Sequence, residues 1–364
     1  MGVAGSSTVV GGPLGRADLM IVSRVPVLIA SWLDRHLVDR IGAAQPDRVE
    51  VIHEPDILPP PEFVGDHRGP HRVLSADQLQ RWRAHVGRAE VMFDFDWESD
   101  DRLAERAPNL RWVQATSSGI GPLVKRLGLA GSPIRVSNAA GIHAHALAEF
   151  VMLAALHFTK EVPRLERWKA EHHWEKYCAL ELAGTRLLVV GLGKVGQRVA
   201  ELASAFGIEV VGIRKSTDQP VPPGVTRVAG PRELDAVLPD ADFVVLIAPA
   251  TSETAHLMDR RRLGLLPARA VLINIGRGSL VDEAALVDAL AAGRLRGAAL
   301  DVFAEEPLPS ASPLWDLPNV LIAPHSVSTV PLENDRLVTL FVENLRRYLD
   351  GEVLVNEFDH SRGY

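Results

Sequence analysis

The chain has 364 residues, 47% of them hydrophobic and 23% charged, and carries a formal net charge of −7. That length supports two domains of ordinary size, and the composition is that of a globular chain able to bury sizeable cores. The acidic balance argues against nucleic acid or an anionic membrane as a partner, and a single cysteine, Cys178, excludes an intrachain disulfide and a cysteine-based metal site.

In chain order, residues 1–20 are Gly/Ser-rich and lack the basic start and apolar core of a signal peptide. They are expected to form a disordered tail, with Met20 as an alternative beginning. From residue 25, apolar runs alternate with amphipathic stretches. Strands are predicted at 25–30, 49–53, 90–95, 111–116 and 134–137, helices at 32–41 and 76–86, and a Pro-, Gly- and His-rich surface loop at 55–72. A long, mostly apolar helix at 144–158 is suited to linking two halves or to burying a face against another subunit. A second series of strands follows at 186–190, 209–213, 242–248, 270–275, 297–302 and 319–323, with helices at 196–206 and 282–292. Strands alternating with helices imply parallel sheets, so the fold class is α/β, with a Rossmann-type doubly wound sheet in the second half. The segment 333–349 reads as an amphipathic helix ended by Asp350-Gly351, returning to the first half. The expected domains are 21–140 with 331–364, and 141–330, hinged near 137–141 and 326–331. No apolar run is long enough to span a bilayer, and a reducing cytoplasm is the expected compartment.

Gly191-Leu192-Gly193-Lys194-Val195-Gly196 lies between the apolar run Leu187-Leu188-Val189-Val190 and a helical segment. In that setting Gly191 permits the tight turn, Gly193 lets backbone approach a pyrophosphate, and Gly196 lets helix and strand pack closely. The free N–H groups of the helix start suit phosphates. NAD sites usually carry an acidic residue at the end of the next strand, about 20 residues on. Here that strand ends Gly212-Ile213-Arg214-Lys215-Ser216. A guanidinium fork, a point charge and a hydroxyl suit a 2′-phosphate, so NADP(H) is favoured. NAD(H) stays open, because Asp218 reaches a ribose if the loop curls back.

Three further strand ends carry chemistry: Asn274-Ile275-Gly276-Arg277-Gly278, Asp301 with Glu305-Glu306-Pro307, and Ala323-Pro324-His325-Ser326. One sheet edge thus collects an arginine, a carboxylate and a histidine, where ligands bind in open α/β sheets. A planar carboxylate matches the arginine fork, and an imidazolium beside a carboxylate holds a proton for a developing alkoxide. Chemistry alone does not say whether Glu305 or Glu306 faces the histidine. Ala248, Pro249, Thr251, Thr254 and Ile275 follow strand ends and are expected to line the cofactor cleft.

These blocks resemble the D-isomer-specific 2-hydroxyacid dehydrogenases over residues 111–359. Further matching stretches are Val113-Gln114-Ala115-Thr116-Ser117-Ser118-Gly119-Ile120, Ser137-Asn138-Ala139-Ala140-Gly141 with Ala148-Glu149, and Asn344-Leu345 with Gly351-Glu352. The resemblance implies a flavodoxin-like substrate domain beside the Rossmann-type one, and a homodimer. It implies His325 as proton donor, Glu306 as its partner, and Arg277 as the group that binds the substrate carboxylate and polarises the carbonyl. Asp301 is implied to hold the nicotinamide carboxamide, and Ser118-Gly119-Ile120 to grip the substrate carboxylate through backbone N–H groups. The expected activity is hydride transfer between NADP(H) and a small 2-oxo or 2-hydroxy acid of the glyoxylate/hydroxypyruvate type. The alternatives are an NAD-dependent enzyme for a bulkier 2-hydroxy acid and a non-enzymatic, nucleotide-sensing corepressor-like scaffold.

His143 and His145 have no companions at zinc-site spacing, so no metal site is expected. Glu149 is expected to pair with His145 across one helical turn. His172-His173 with Trp174 read as surface, and the Trp168/Trp174 region as a contact for substrate or a partner subunit.

Overall fold

The computed structural model describes residues 24–67, 69, 70, 72–98 and 101–360; the tail at 1–20 and Met20 lie outside them. Five strands open the chain: β1 (Val25–Ile29), β2 (Val49–Ile52), β3 (Val91–Phe93), β4 (Trp112–Gln114) and β5 (Arg135–Ser137). Between them run α1 (Arg35–Ala44), α2 (Ala76–Arg88), α3 (Leu103–Arg106) and α4 (Gly121–Arg126). All pairings are parallel, in the order β2-β1-β3-β4-β5, which is the flavodoxin-like arrangement. Such strands are covered on both faces, which explains their unbroken apolar runs. Helix α1 starts at Arg35, later than the pattern predicts, because Asp34 holds extended backbone at ψ 143 and leaves Trp32 and Leu33 in the loop. Helix α2 starts at a capping box in which the Gln78 N–H donates to Ser75 Oγ and the Ser75 N–H to Gln78 Oε1.

Two further helices follow, α5 (Ala144–Thr159) and α6 (Val162–Ala170). The second sheet then builds from β6 (Arg186–Val190), α7 (Lys194–Ala205), β7 (Glu209–Ile213), β8 (Arg227–Ala229), α8 (Leu234–Val237) and β9 (Phe243–Leu246). It continues through α9 (Arg260–Leu263), β10 (Val271–Asn274), α10 (Glu283–Ala291), β11 (Gly297–Leu300) and β12 (Val320–Ile322). Its order is β12-β11-β10-β9-β6-β7-β8, all parallel. Numbered within the sheet this is 3-2-1-4-5-6 with one strand added, and the order reverses between β6 and β9. The apolar helix α5 packs within the chain: Val151, Ala154, Ala155 and Phe158 are buried with Leu187, Val189, Val199 and Ala203. On that helix Leu153 is 56% exposed, while Leu147 and Leu156 are partly buried.

The last helix, α11 (Glu333–Leu349), returns to the first sheet. Leu337, Val338, Phe341 and Leu345 fall on one face and join Val27, Ile29, Phe93 and Trp112 in a single core. The Phe341 ring meets Phe93 edge-on and stacks on Trp112, both at 5.2 Å. Buried Asn344 donates to Gln114 Oε1 at 2.9 Å and to the Val355 carbonyl at 3.0 Å, fastening the C-terminal segment to β4. Among the described residues, no helix is long and apolar enough to cross a membrane.

One partly buried acid lies at the carboxyl edge of the first sheet. Asp94 follows β3 with φ 67, and its carboxylate accepts from the Phe95 N–H and from Thr116 Oγ1 at 2.9 and 3.0 Å. Burial pushes its carboxyl up, against the pull of His67 and these hydrogen bonds. A carboxyl raised in the fold contributes stability that is complete below the ordinary carboxylate range and is lost as pH rises through the raised value. Asp94→Asn, which tolerates the left-handed backbone, is therefore expected to raise Tm at pH 8 and to raise it less at pH 5. Thermal melts at the two pH values check this, and an equal shift at both rejects it.

Candidate active site

The glycine-rich turn sits at the reversal of strand order, where an open sheet forms its crevice. Gly191 has φ 112, and a Cβ there would lie 2.7 Å from the Ala248 nitrogen. A Cβ on Gly196 would lie 2.2 Å from the Gly191 carbonyl oxygen, so α7 and β6 pack at glycine distance. A Cβ on Gly193 would meet nothing within 4 Å, so the backbone at the start of α7 faces open space. That space, with the free N–H groups of a 12-residue helix behind it, fits a pyrophosphate. Gly191→Ala is expected to weaken dinucleotide binding about tenfold or more, since left-handed strain adds to a backbone collision. Isothermal titration with NADPH and NADH measures it.

Beyond β7, Arg214 Nη2 donates to the carbonyls of Gln219 and, at 3.0 Å, Pro220. Lys215 pairs with Glu253, joining the β7 loop to the loop after β9. Ser216 and Asp218 are exposed. In the β9 loop, Thr254 Oγ1 donates to the Pro249 carbonyl at 2.7 Å and accepts from the Thr251 N–H at 2.8 Å. Thr254 thus shapes the loop that carries Pro249, while Ala248 backs the glycine turn and Ile275 is buried against α5 and β6.

Arg277 follows β10 on a turn built by Asn274. The Asn274 side chain donates to the Arg277 carbonyl at 2.9 Å and accepts from the Gly276 N–H at 3.1 Å. The Arg277 guanidinium donates to the Gly276 carbonyl at 2.6 Å and presses on Gly119 of the facing domain, where a Cβ would lie 1.8 Å from Nη2. Ser118 and Gly119 are exposed at the end of β4, whereas Ile120 is buried and anchors their turn.

His325 Nδ1 lies 2.7 Å from Glu306 Oε2, and the Phe303 N–H donates to Glu306 Oε1 at 3.0 Å. Glu306 therefore faces the histidine, and Glu305 is exposed beside it. Asp301 is 2% exposed, and its Oδ1 accepts from the N–H groups of Ser326 and Val327 at 2.9 and 3.3 Å. Burial pushes its carboxyl up, while those two amides pull it back. The residue expected to hold a nicotinamide carboxamide thus also pins the loop in which His325 adopts φ 53. Asp301 has no sequence signal for that second duty, because its partners are backbone groups 25 and 26 residues away.

One other expectation is corrected. His145 and Glu149 are both exposed and make no pair with each other; His143 instead lies 3.0 Å from Glu333 Oε1, with Glu333 buried. Trp168 sits in a local cluster with Tyr177 and the Arg164 guanidinium, which lies 5.6 Å from both rings, while Trp174 is 94% exposed. Among the described residues, no group of three His, Cys, Asp or Glu side chains is placed to hold a metal ion.

Residues 152–327 match the D-isomer specific 2-hydroxyacid dehydrogenase, NAD binding domain. A glyoxylate reductase of Aeropyrum pernix is 34% identical over 270 residues, covering 71% of this chain and 78% of that protein. A D-3-phosphoglycerate dehydrogenase of Mycobacterium bovis is 35% identical over 257 residues, 70% of this chain and 48% of the relative. An NADPH-dependent glyoxylate/hydroxypyruvate reductase from Sinorhizobium meliloti, solved in complex with NADP and sulfate, has a similar structure at a TM-score of 0.74 and 26% identity. The likeness covers 94% of this chain and all of that one. Identity of 34% over 78% of the Aeropyrum pernix protein, with the family match at 152–327, places the chain in the D-isomer specific 2-hydroxyacid dehydrogenase family.

Proposed function

We propose that this chain is an NADP(H)-preferring reductase of small 2-oxo acids of the glyoxylate/hydroxypyruvate type. The observation that carries the reading is the meeting of Arg277 with Gly119 across the cleft, on the same sheet edge as the His325–Glu306 pair. A bound reduced nicotinamide would supply the hydride. Arg277 and the N–H groups of Ser118, Gly119 and Ile120 bind the substrate carboxylate. His325, with Nδ1 committed to Glu306, gives its proton from Nε2 to the oxygen that becomes the hydroxyl. Asp301 holds the His325 loop and offers its other oxygen to the carboxamide. Residues 21–140 with 331–364 act as the substrate domain and close on 141–330, excluding water. The same reading has the protein working as a cytoplasmic homodimer, with no nucleic-acid or membrane partner.

Arg214, Lys215 and Ser216 support the 2′-phosphate preference, as does the NADP in the Sinorhizobium meliloti relative. One observation favours NAD: the β7 loop does curl back, held by Arg214 on Gln219 and Pro220, which carries Asp218 with it. The deciding assay follows reduced-nicotinamide absorbance with NADPH and NADH against glyoxylate, hydroxypyruvate, pyruvate and phenylpyruvate. Faster oxidation of NADPH, lost in Arg214→Ala, is the expected result. Faster oxidation of NADH overturns the 2′-phosphate reading, and a bulkier best substrate overturns the glyoxylate type. No oxidation by protein that binds a dinucleotide overturns the reductase and favours the scaffold.

A further inference from the structure

The cation in the phosphate-binding turn does not stay on its own side of the cleft. Lys194 Nζ donates to Asn356 Oδ1 at 2.6 Å and lies 3.4 Å from the Ala140 carbonyl oxygen. Ala140 belongs to the first connection between the two sheets, and Asn356 to the segment after α11. Asn356 is itself held there. Its side-chain amide donates to the Ala140 carbonyl at 2.8 Å and the Asn138 carbonyl at 3.3 Å, and its own carbonyl accepts from the Asn138 N–H at 3.0 Å. The lysine stem runs over Gly141, where a Cβ would lie 2.6 Å from Lys194 Cδ.

We propose that Lys194 is an interdomain latch, and that the pyrophosphate of an arriving dinucleotide competes with Asn356 and Ala140 for its ammonium. This rests on the dinucleotide reading above. The rival acceptors differ in charge. Asn356 and Ala140 offer neutral oxygens, whereas a pyrophosphate placed at the start of α7 is anionic and draws the ammonium more strongly. Cofactor binding then releases the connection at 138–141 from the glycine turn, which frees the hinge for closure. Lys194 acts here as a positioning residue.

The test uses the full chain. Asn356 has φ 58, so Asn356→Gly removes the acceptor and keeps the backbone conformation. By titration calorimetry it is expected to tighten NADPH and NADH binding about three- to tenfold, and to have no such effect in the Lys194→Met background. Without cofactor, Lys194→Met is expected to speed amide hydrogen exchange at 138–142 and 353–358. Unchanged exchange there overturns the latch by itself. An Asn356→Gly effect that persists without Lys194 overturns the competition. A wild-type chain that binds neither dinucleotide overturns the cofactor reading, and the competition with it, while exchange still reports on the contact.

Discussion

Alanine at position 325 is expected to lower kcat by about two to four orders of magnitude and to leave dinucleotide affinity unchanged. The loss follows from position. His325 is the imidazole on the carboxyl edge of the second sheet whose ring is fixed by a carboxylate, 2.7 Å from Nδ1 to Glu306 Oε2. That carboxylate is fixed in turn by the Phe303 N–H. The pair is half-exposed, with the histidine side chain at 46% and the glutamate at 36%. A proton donor in that setting serves any small substrate brought to it, and alanine leaves only solvent water to protonate the product oxygen. Glu306→Gln is the graded companion. It keeps the neighbour and removes its charge, so it is expected to lower kcat less than the alanine variant. Single-turnover kinetics with the best 2-oxo acid, beside a fluorescence titration of NADPH, separates chemistry from binding. Turnover near wild type in His325→Ala rejects the assignment.

Legibility in the sequence followed the kind of interaction that fixes each residue. The glycine turn was readable because backbone geometry alone demands glycine at 191 and 196. Arg277, Glu306 and His325 were readable because each follows an apolar strand, and parallel strands put all their carboxyl ends on one edge. Strand β8 escaped notice because it has three residues with one buried, so no apolar run marks it. Helix α6 escaped because it buries no residue and rests instead on Arg164, Trp168 and Tyr177. The choice between Glu305 and Glu306 needed backbone direction. His143–Glu333 and Lys194–Asn356 join residues 190 and 162 apart, and no local spacing announces a contact of that range.

Arg277→Lys is expected to lower kcat/KM for the best 2-oxo acid by about 100-fold or more, with most of the loss retained at saturating substrate. Charge is conserved in this variant, so the effect isolates geometry. A guanidinium presents two parallel donors to a planar carboxylate, whereas an ammonium meets one oxygen at a time. The structure adds a second requirement, because the guanidinium is wedged against Gly119, with a Cβ there falling 1.8 Å from Nη2. Gly119→Ala leaves the arginine in place and denies it that seat, so it is expected to reproduce much of the Arg277→Lys loss. Because the two changes act on one contact, the double variant is expected to lose far less than the product of the single losses. Steady-state kinetics on the three variants checks this. Multiplicative losses would mean that Arg277 and the β4 turn act separately on the substrate, and the cleft would then lack the cross-domain clamp on which the reductase reading stands.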